Sequence, residues 1–320
     1  MDSITIHNGR LSARLIPFGA TLVDLRLAGW DRSLVLGYDH IEDYSRTNHY
    51  SGAVIGRHAN RLSQGLVEID GVMVQLPRNS GGHHLHGGET GMARQDWTRL
   101  DQTPSMVRLG YVSPDGEEGY PGNCAFTAVY EVVGDAKLRL SLEAVSDRTT
   151  LVNLCQHPYF NFTGAANIFD HVLEIASETY LPSDVDLIPT GVEQPVRGSP
   201  FDFTSPRAVG PLRPNPGYNN NFCLAREPSL DPRFAARLTA PGGPVMEVWT
   251  TQAGLHLYDG YKLEPGQNGS DGRVFGPNSG LCLEAQNWPD SPGRLNFPSS
   301  ILEAGKIYRQ ITEYRFSNAP

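Results

Sequence analysis

Apolar and polar side chains alternate in many short segments along the chain. In Thr21–Leu27 and in residues 137–145, nearly every second side chain is apolar and those between are mostly charged or polar. This period of two is typical of β-strands that bury one face. Short apolar runs predict further strands at Val172–Ile175, Val245–Thr250 and residues 281–285. The pattern therefore indicates a chain built mainly from short strands.

One pair of these strands has a clear turn signal between its members. Asp70 and Gly71 separate the apolar residues Val67 and Ile69 from a second run that begins at Val72. An Asp-Gly pair readily adopts the positive φ angles that a two-residue type I′ turn requires. The segment therefore predicts a β-hairpin.

Helical periodicity is nearly absent from the sequence. Residues 38–51 form the longest helix candidate, and most of them are polar. The 34 glycines and 24 prolines are spread along the whole chain, so they do not mark a linker between domains. We therefore expect an all-β fold, a large antiparallel sandwich or barrel with few helices, that forms one domain over residues 1–320.

Charge and cysteine content narrow the range of partners and cofactors. The net charge is −9 and no dense run of Lys and Arg occurs, which argues against nucleic acid or an anionic membrane as the main partner. Four widely spaced cysteines without a CxxC pair do not indicate a disulfide framework or a zinc site. No apolar run is long enough to span a bilayer, and the N-terminus does not resemble a signal peptide, so we expect a cytoplasmic protein. The motifs of nucleotide-binding proteins and serine hydrolases are also missing, so we expect no cofactor.

Five segments place polar side chains beside glycines or within apolar strands: residues 56–61, 83–88, 153–162, 218–222 and 281–290. In the first, Arg57, Asn60 and Arg61 could donate hydrogen bonds to an oxygen-rich ligand, because a guanidinium presents a planar fork of donors. Ion pairing at the surface or between domains is the alternative for both arginines. The residues alone leave these two interpretations open.

The histidines of the second and third segments allow several roles. His83, His84 and His86 form a cluster that could bind a metal, although no cysteine or carboxylate completes a familiar zinc spacing. A single histidine at the rim of a ligand site fits better, because Gly87 and the glycine after it let the backbone approach a ligand closely. His157 is either a buried structural residue or a catalyst.

Amides and a carboxylate mark the last two segments. Asn219, Asn220 and Asn221 could form a turn or a wall that binds hydroxyl groups. Glu284 interrupts an apolar strand and is either exposed, paired with an arginine, or directed into a cavity on the same face as Cys282. Burial in a cavity would raise its pKa and make it a stronger base near neutral pH.

Taken together and in this order, the five segments resemble the aldose 1-epimerase (galactose mutarotase) family. Further segments strengthen the resemblance, which runs over nearly the whole chain: residues 17–22, 120–123, 189–191 and 198–203. The resemblance implies a large β-sandwich of the galactose mutarotase type. It also implies an isomerase that interconverts the α and β anomers of a free monosaccharide without a metal, a nucleotide or a covalent intermediate.

The resemblance also implies roles for individual residues. Glu284 matches the base that removes the proton from the C1 hydroxyl, and His157 matches the acid, an imidazolium, that protonates the ring oxygen. His86 matches a histidine that orients the same region of the sugar. Asn60 and Arg61 match residues that contact sugar hydroxyls.

Tyr159 lies in a matched segment of the ligand site. Two other positions, Asn219 and His256, depart from the family pattern. Asn219 stands where the family usually has Asp in a Gly-Phe-Asp-His-Asn-Phe-like segment. His256 stands where Gln is common, two residues before Tyr258. Both changes put galactose in doubt as the preferred sugar, and we hypothesise a preference for another aldose, such as the pentoses xylose or arabinose.

Three other functions remain as alternatives. A hexose-6-phosphate 1-epimerase would need basic residues for the phosphate, and only Arg57 and Arg61 are evident. A noncatalytic sugar-binding protein would be expected to lack Glu284 or a histidine. A polysaccharide hydrolase or lyase would normally need a second carboxylate.

The chain is expected to act as a monomer or a homodimer.

Overall fold

The computed structural model describes residues 3–212 and 216–317. Within them the first half of the chain forms the strands β1 Ile4–Asn8, β2 Leu11–Ile16, β3 Thr21–Leu27, β4 Val54–Ile55, β5 Arg61–Leu62, β6 Leu66–Ile69, β7 Val72–Gln75, β8 His84–Leu85, β9 Thr98–Thr103, β10 Met106–Ser113, β11 Cys124–Val133, β12 Lys137–Ser146, β13 Thr150–Leu151 and β14 Cys155–Gln156. The second half forms β15 Val172–Ile175, β16 Thr179–Leu181, β17 Gln194–Pro195, β18 Arg207–Ala208, β19 Asn219–Cys223, β20 Arg233–Thr239, β21 Val245–Thr250, β22 Gly254–Tyr258, β23 Gln267–Asn268, β24 Val274–Phe275, β25 Cys282–Gln286, β26 Ile301–Leu302 and β27 Ile307–Ser317.

Helical structure is limited to short pieces. The α-helix α1 spans Asp43–Arg46, and single 3₁₀ turns occur at Ser63–Gly65, Met92–Arg94, Glu117–Gly119, Ser270–Gly272 and Ser291–Gly293. Across the two described ranges, no helix is long and apolar enough to cross a membrane.

The largest sheet contains nine antiparallel strands in the order β18-β15-β20-β21-β27-β12-β11-β10-β9. In β12 the residues Leu138, Leu140 and Leu142 are buried, whereas the side chains between them are at least partly exposed. A second sheet of five strands has the order β17-β16-β19-β22-β25. The predicted all-β architecture with few helices is thus confirmed.

The two sheets pack against a shared hydrophobic core. Leu255 and Leu283 of the five-stranded sheet belong to the same buried cluster as Leu140 and Tyr314 of the nine-stranded sheet. Burial of these side chains stabilises the sandwich by about 1.5–3 kcal/mol for each fully buried large apolar residue. The division into domains over residues 1–320 stays a prediction, and the ends of that range lie outside the described residues.

Most of the local predictions agree with the structure. The hairpin is confirmed: Ile69 of β6 pairs with Val72 of β7 around Asp70 and Gly71, whose φ angles are 52° and 74°. The strands predicted from alternation and from short apolar runs correspond to β3, β12, β15, β21 and β25. The last of them begins one residue later than predicted, at Cys282.

The helix candidate at residues 38–51 is wrong over most of its length. Only α1 is helical, and Tyr44 is its one buried residue. A helix of one turn gains little from its own hydrogen bonds, and the apolar side chains that pack here, Tyr38, Ile41 and Tyr44, all lie in the first half of the segment. The remainder of the segment runs as irregular loop through Asn48, His49 and Tyr50.

The register of the five-stranded sheet aligns its polar side chains. Side chains alternate between the two faces of a strand, so residues two apart along a strand share a face. With Leu255 and Leu283 on the core face, the opposite face carries two cross-strand rows. One row consists of Asn221, His256 and Glu284, and the next consists of Asn219, Tyr258 and Cys282.

Candidate active site

A cavity of about 250 Å³ opens over this polar face. All eight residues predicted for the site line it: His86, His157, Glu284, Asn60, Arg61, Tyr159, Asn219 and His256. Larger cavities of about 560 and 680 Å³ lie elsewhere, around Arg273 and around Tyr180. Neither is lined by Glu284 or by a histidine, so the combination of carboxylate and imidazoles distinguishes the smaller cavity.

Glu284 lies at the buried end of the cavity, with 1% of its surface exposed. Its Oε1 is 3.4 Å from His157 Nε2, and its Oε2 accepts a hydrogen bond from Cys155 Sγ at 3.6 Å. Burial raises the pKa of this carboxyl to about 8, although the Cys155 thiol and the charge of Arg61 both act to lower it. Glu284 therefore has the raised proton affinity expected of a base that works near neutral pH.

His157 follows β14 and precedes a proline, and hydrogen bonds hold its backbone on both sides. Its N–H donates to Ala53 O at 3.0 Å, and its carbonyl oxygen accepts from Gly52 N at 2.8 Å. The ring is buried, with Nδ1 3.4 Å from Cys282 Sγ. Burial lowers the pKa of His157 to about 4.

The opposite pKa shifts of Glu284 and His157 change one detail of the sequence interpretation. The imidazolium expected there is disfavoured in the buried cavity at neutral pH, because the surroundings provide little solvation for a charged ring. Taken as a pair, the two groups hold one proton between about pH 4 and pH 8. The neutral pair and the ion pair are two arrangements of that same proton.

His86 is held by the backbone of the first predicted segment. Asn60 N–H donates to His86 Nδ1 at 3.2 Å, so the hydrogen of the neutral ring is on Nε2. The His86 and His157 rings lie 5.6 Å apart between their centroids. At Gly87 a Cβ atom would come within 1.8 Å of Gly56 O, so glycine is required for this close approach. Burial, followed by the charges of His157 and Arg61, lowers the pKa of His86 well below its ordinary value.

The two arginines of the first segment have different roles. Arg61 is partly buried and lines the cavity beside Asn60. Arg57 is turned away from the cavity and is 2% exposed, and its guanidinium donates to backbone carbonyl oxygens of Ser113, Pro114, Pro121 and Gly122. Its donors are therefore committed to the structure of the loops around it, so the idea of an arginine pair facing a ligand is wrong for Arg57.

Of the three histidines in the second segment, His86 lines the cavity, whereas His83 and His84 make contacts elsewhere. His84 contacts Pro77 O at 2.8 Å and Tyr120 Oη at 2.7 Å, and His83 Nδ1 accepts from Gln64 N–H at 3.0 Å. Neither side chain lines the cavity with His86. These contacts give His83 and His84 structural roles.

A different group in the described residues could approach a metal ion. The donor atoms of His157, Cys282 and Glu284 lie within 4.8 Å of one another. These atoms already contact one another, with Cys282 Sγ 3.4 Å from His157 Nδ1 and Glu284 Oε1 3.4 Å from His157 Nε2. The chemistry of the group therefore suits a thiol and an acid–base pair better than a metal centre.

Asn219 and His256 are in direct contact on one wall of the cavity. His256 Nε2 lies 2.7 Å from Asn219 Oδ1. Burial lowers the pKa of His256 to about 3, so a neutral ring donates its Nε2–H to the amide oxygen. His256 Nδ1 is then a buried acceptor without a partner in the described part of the chain, while the Asn219 amide nitrogen remains a donor.

Several lining residues were not predicted from the sequence: Asn48, His49, Tyr50, Leu85, Tyr258 and Lys262. Alternation with His256 along β22 could have identified Tyr258. The loop at 48–50 carries no such signal, because its position depends on distant contacts such as the hydrogen bond from Tyr159 Oη to His49 O at 3.1 Å. The ring of Tyr50 also packs 5.0 Å from the ring of His86.

Comparison with known proteins agrees with this geometry. Residues 2–315 match the model of the family described as aldose 1-epimerase. The galactose mutarotase of Mus musculus is 39% identical over 328 aligned residues, which cover 100% of this chain and 95% of the relative.

Solved structures are similar over the same length. An aldose epimerase homologue from C. elegans superimposes with a TM-score of 0.92 at 27% identity, covering 100% of this chain and 99% of the other. A galactose 1-epimerase from Lactobacillus acidophilus gives a TM-score of 0.87 at 28% identity, with 99% and 95% coverage. The chain thus belongs to the aldose 1-epimerase family of carbohydrate isomerases.

Proposed function

We propose that the enzyme interconverts the α and β anomers of a free monosaccharide, with Glu284 as general base and His157 as general acid. The observation that carries this proposal is the 3.4 Å separation between Glu284 Oε1 and His157 Nε2 at the buried end of the cavity. Two groups at this distance reach both oxygens on C1 of a cyclic sugar, the C1 hydroxyl and the ring oxygen. A positioned acid or base contributes about 10²–10⁴-fold to such a rate.

The proton balance of ring opening fits the pair. Glu284 takes the proton of the C1 hydroxyl as C1 becomes a carbonyl carbon, the C1–O5 bond breaks, and O5 takes a proton from His157. After rotation about C1–C2, O5 attacks the other face of the carbonyl and both protons return. The pair holds one proton at each stage: the ion-pair arrangement, with the proton on His157, opens the ring, and the neutral arrangement, with the proton on Glu284, results from the opening.

The other lining residues would bind and orient the sugar. His86 offers its Nε2–H near His157, and Asn60 and Arg61 offer donors to hydroxyl oxygens. The positive charge of Arg61 also lies close enough to Glu284 to affect its pKa. It would therefore stabilise negative charge that develops on the sugar oxygen during proton transfer. Tyr159 packs 5.0 Å from the ring of His157 and limits its orientation.

The lining residues favour this function over the alternatives. Glu284 is the one carboxylate among them, whereas most glycoside hydrolases use two. Arg57 is unavailable to a sugar phosphate, since its donors bind backbone carbonyls. A purely binding site would have no need for a fully buried carboxylate in contact with an imidazole, because burial of such a group destabilises the fold.

We also propose that sugar preference is shifted from galactose towards another aldose, such as a pentose. The contact between Asn219 and His256 supports this, because a neutral wall replaces the carboxylate usual in the family. An amide accepts hydrogen bonds from hydroxyls less strongly than a carboxylate does.

The four free buried cysteines suit a reducing compartment, so we place the reaction in the cytoplasm.

Polarimetry of freshly dissolved α-galactose, α-glucose, α-xylose and α-arabinose tests the proposal. The enzyme should accelerate the approach to anomeric equilibrium and should act best on a sugar other than galactose. Parallel incubations with a disaccharide and with glucose 6-phosphate distinguish the alternatives. Cleavage of the disaccharide, or a strong preference for the phosphate, would contradict the assignment.

A further inference from the structure

Two cysteine thiols contact the acid–base pair from the sides that face away from its shared proton. Cys155 Sγ lies 3.6 Å from Glu284 Oε2, and Cys282 Sγ lies 3.4 Å from His157 Nδ1. Both cysteines are free and fully buried. The reaction described above assigns no role to either of them.

The contacts cross between two segments of the chain. Cys282 precedes Glu284 by two residues on β25, but its thiol contacts His157. Cys155 precedes His157 by two residues, but its thiol contacts Glu284. Each thiol therefore joins its own segment to the catalytic group of the other, and the two contacts link the segment around β14 to β25 beside the reacting atoms.

We infer that Cys155 and Cys282 are positioning residues that hold Glu284 and His157 in place while their shared proton moves between them. This inference rests on the proposed function, since it concerns the same pair. A thiol is both a weak donor and a weak acceptor, unlike a carbonyl or carboxylate oxygen, which can only accept. The same contact can therefore persist in both protonation states of its partner.

The contact of Cys282 illustrates this property. Nε2 faces Glu284 Oε1 and exchanges the shared proton with it, so the other ring hydrogen is on Nδ1 in both protonation states of His157 and donates to the Cys282 sulfur. The sulfur therefore accepts at this contact, whereas the thiol of Cys155 donates at the other. Nε2 is left bare in the neutral ring and can accept the proton back.

Cys155 acts on the base. Its S–H donates to Glu284 Oε2, which stabilises the carboxylate form and leaves Oε1 for the proton that moves. Burial raises the pKa of both thiols well above the ordinary value, so neither adds a negative charge beside Glu284. The sulfur contacts thus support the pair without competing for its proton.

Other titratable or charged groups also face Glu284. They are Arg61 from β5, His157 and Tyr159 from the segment after β14, His256 and Tyr258 from β22, and Cys282 from its own strand. Arg61 acts in the same direction as Cys155 and lowers the pKa of Glu284. A substitution at Cys155 leaves all of these groups in place, so its effect on the pH profile reports the sulfur contact.

The test for Cys155 is the pH dependence of kcat/KM in Cys155→Ser and Cys155→Ala. The hydroxyl is a stronger donor than the thiol, so the alkaline limit of activity should move to lower pH in Cys155→Ser. It should move to higher pH in Cys155→Ala, which lacks a donor. Cys223→Ala removes a buried thiol outside the cavity and should leave the limit unchanged. Shifts in the same direction for both Cys155 variants, or no shift, would overturn the inference.

The test for Cys282 is a comparison of kcat and KM in Cys282→Ala and Cys282→Ser. Loss of the contact should lower kcat about tenfold with KM changed less than about twofold, in keeping with one hydrogen bond. Serine should restore most of kcat, because a hydroxyl also donates and accepts. Equal loss in both variants would overturn the role of Cys282.

A spectroscopic readout covers the case in which a variant folds poorly. The S–H stretching bands of the wild-type protein should shift as the pH crosses the alkaline limit of activity. S–H bands that do not shift with this change of pH would overturn the inference. If the wild type accelerates no anomer exchange at all, the proposed function itself fails, which is a separate result.

Discussion

His157 Nε2 and Glu284 Oε1 lie 3.4 Å apart in a region where both side chains are almost fully buried. Burial shifts the two pKa values in opposite directions, upwards for the carboxyl and downwards for the imidazole. The pair therefore keeps one proton over a wide pH range. That proton is what anomer exchange requires, because one oxygen loses a proton while another gains one.

The first prediction concerns the pH dependence of the reaction. Below about pH 4 the pair binds a second proton, so Glu284 can no longer act as a base. Above about pH 8 it loses its only proton, so His157 can no longer act as an acid. A profile of kcat/KM should be bell-shaped with limits near these values. A rate that still rises between pH 8 and 10 would contradict the one-proton pair.

The second prediction concerns stability. The pKa of Glu284 in the folded protein is raised from 4.5 to about 8, so folding favours the protonated form. Its contribution is fully present below about pH 4.5 and is lost as the pH rises through about 8. Glu284→Gln is neutral at every pH and should become more stable than the wild type at pH 9, by on the order of 3 kcal/mol.

Denaturant unfolding of the two proteins at pH 5 and pH 9 measures this difference. The advantage of Glu284→Gln over the wild type should grow with pH, and Glu143→Gln, the same substitution at a half-exposed position on β12, serves as the reference variant. A stability difference independent of pH would mean that the carboxyl is better solvated than its burial indicates.

The third prediction contrasts two neighbouring histidines. His86 lines the cavity with a φ of 55°, and Asn tolerates such an angle, so His86→Asn should fold normally. We expect a loss of about 10–10²-fold in kcat/KM with little change in melting temperature. His84→Asn should show the reverse, because it loses contacts to Pro77 and Tyr120 and leaves the cavity intact. Equal effects of the two substitutions on activity would contradict the assignment of His86.

The fourth prediction concerns sugar preference. Asn219→Asp combined with His256→Gln restores the residues common in the family, so the ratio of kcat/KM for galactose over xylose should rise about tenfold, the worth of one charged hydrogen bond. The effects of the two single substitutions on this ratio should not add up to the effect of the double variant, because the two side chains share a 2.7 Å contact. If the wild type, both single variants and the double variant all had the same ratio, Asn219 and His256 would not select the sugar.

Much of the fold and site could be predicted from the sequence because the relevant signals are local. Alternation predicted β12, and an Asp-Gly pair predicted the hairpin at Asp70. The resemblance to the aldose 1-epimerase family identified Glu284 and His157, which the structure brings together from β25 and from the loop that follows β14. Such residues lie in recognisable motifs, so their proximity could be expected before any coordinates were available.

The remaining features depend on contacts between distant segments. Arg57 resembles a ligand-binding arginine in the sequence, but its role follows from loops that enclose it with carbonyl oxygens. The loop at His49 reaches the cavity through Tyr159. The contact of Cys155 with Glu284 likewise depends on the packing of β14 against β25. No periodic or local pattern encodes these arrangements.

The most direct test of the central claim is exchange between the two anomers at equilibrium, followed by NMR saturation transfer with wild-type protein and with Glu284→Gln. The account predicts that the wild type accelerates exchange at pH 7. The folded variant should lose that acceleration by at least about 10²-fold while still binding the sugar. A Glu284→Gln protein that exchanges anomers as fast as the wild type would contradict the assignment of Glu284 as the base.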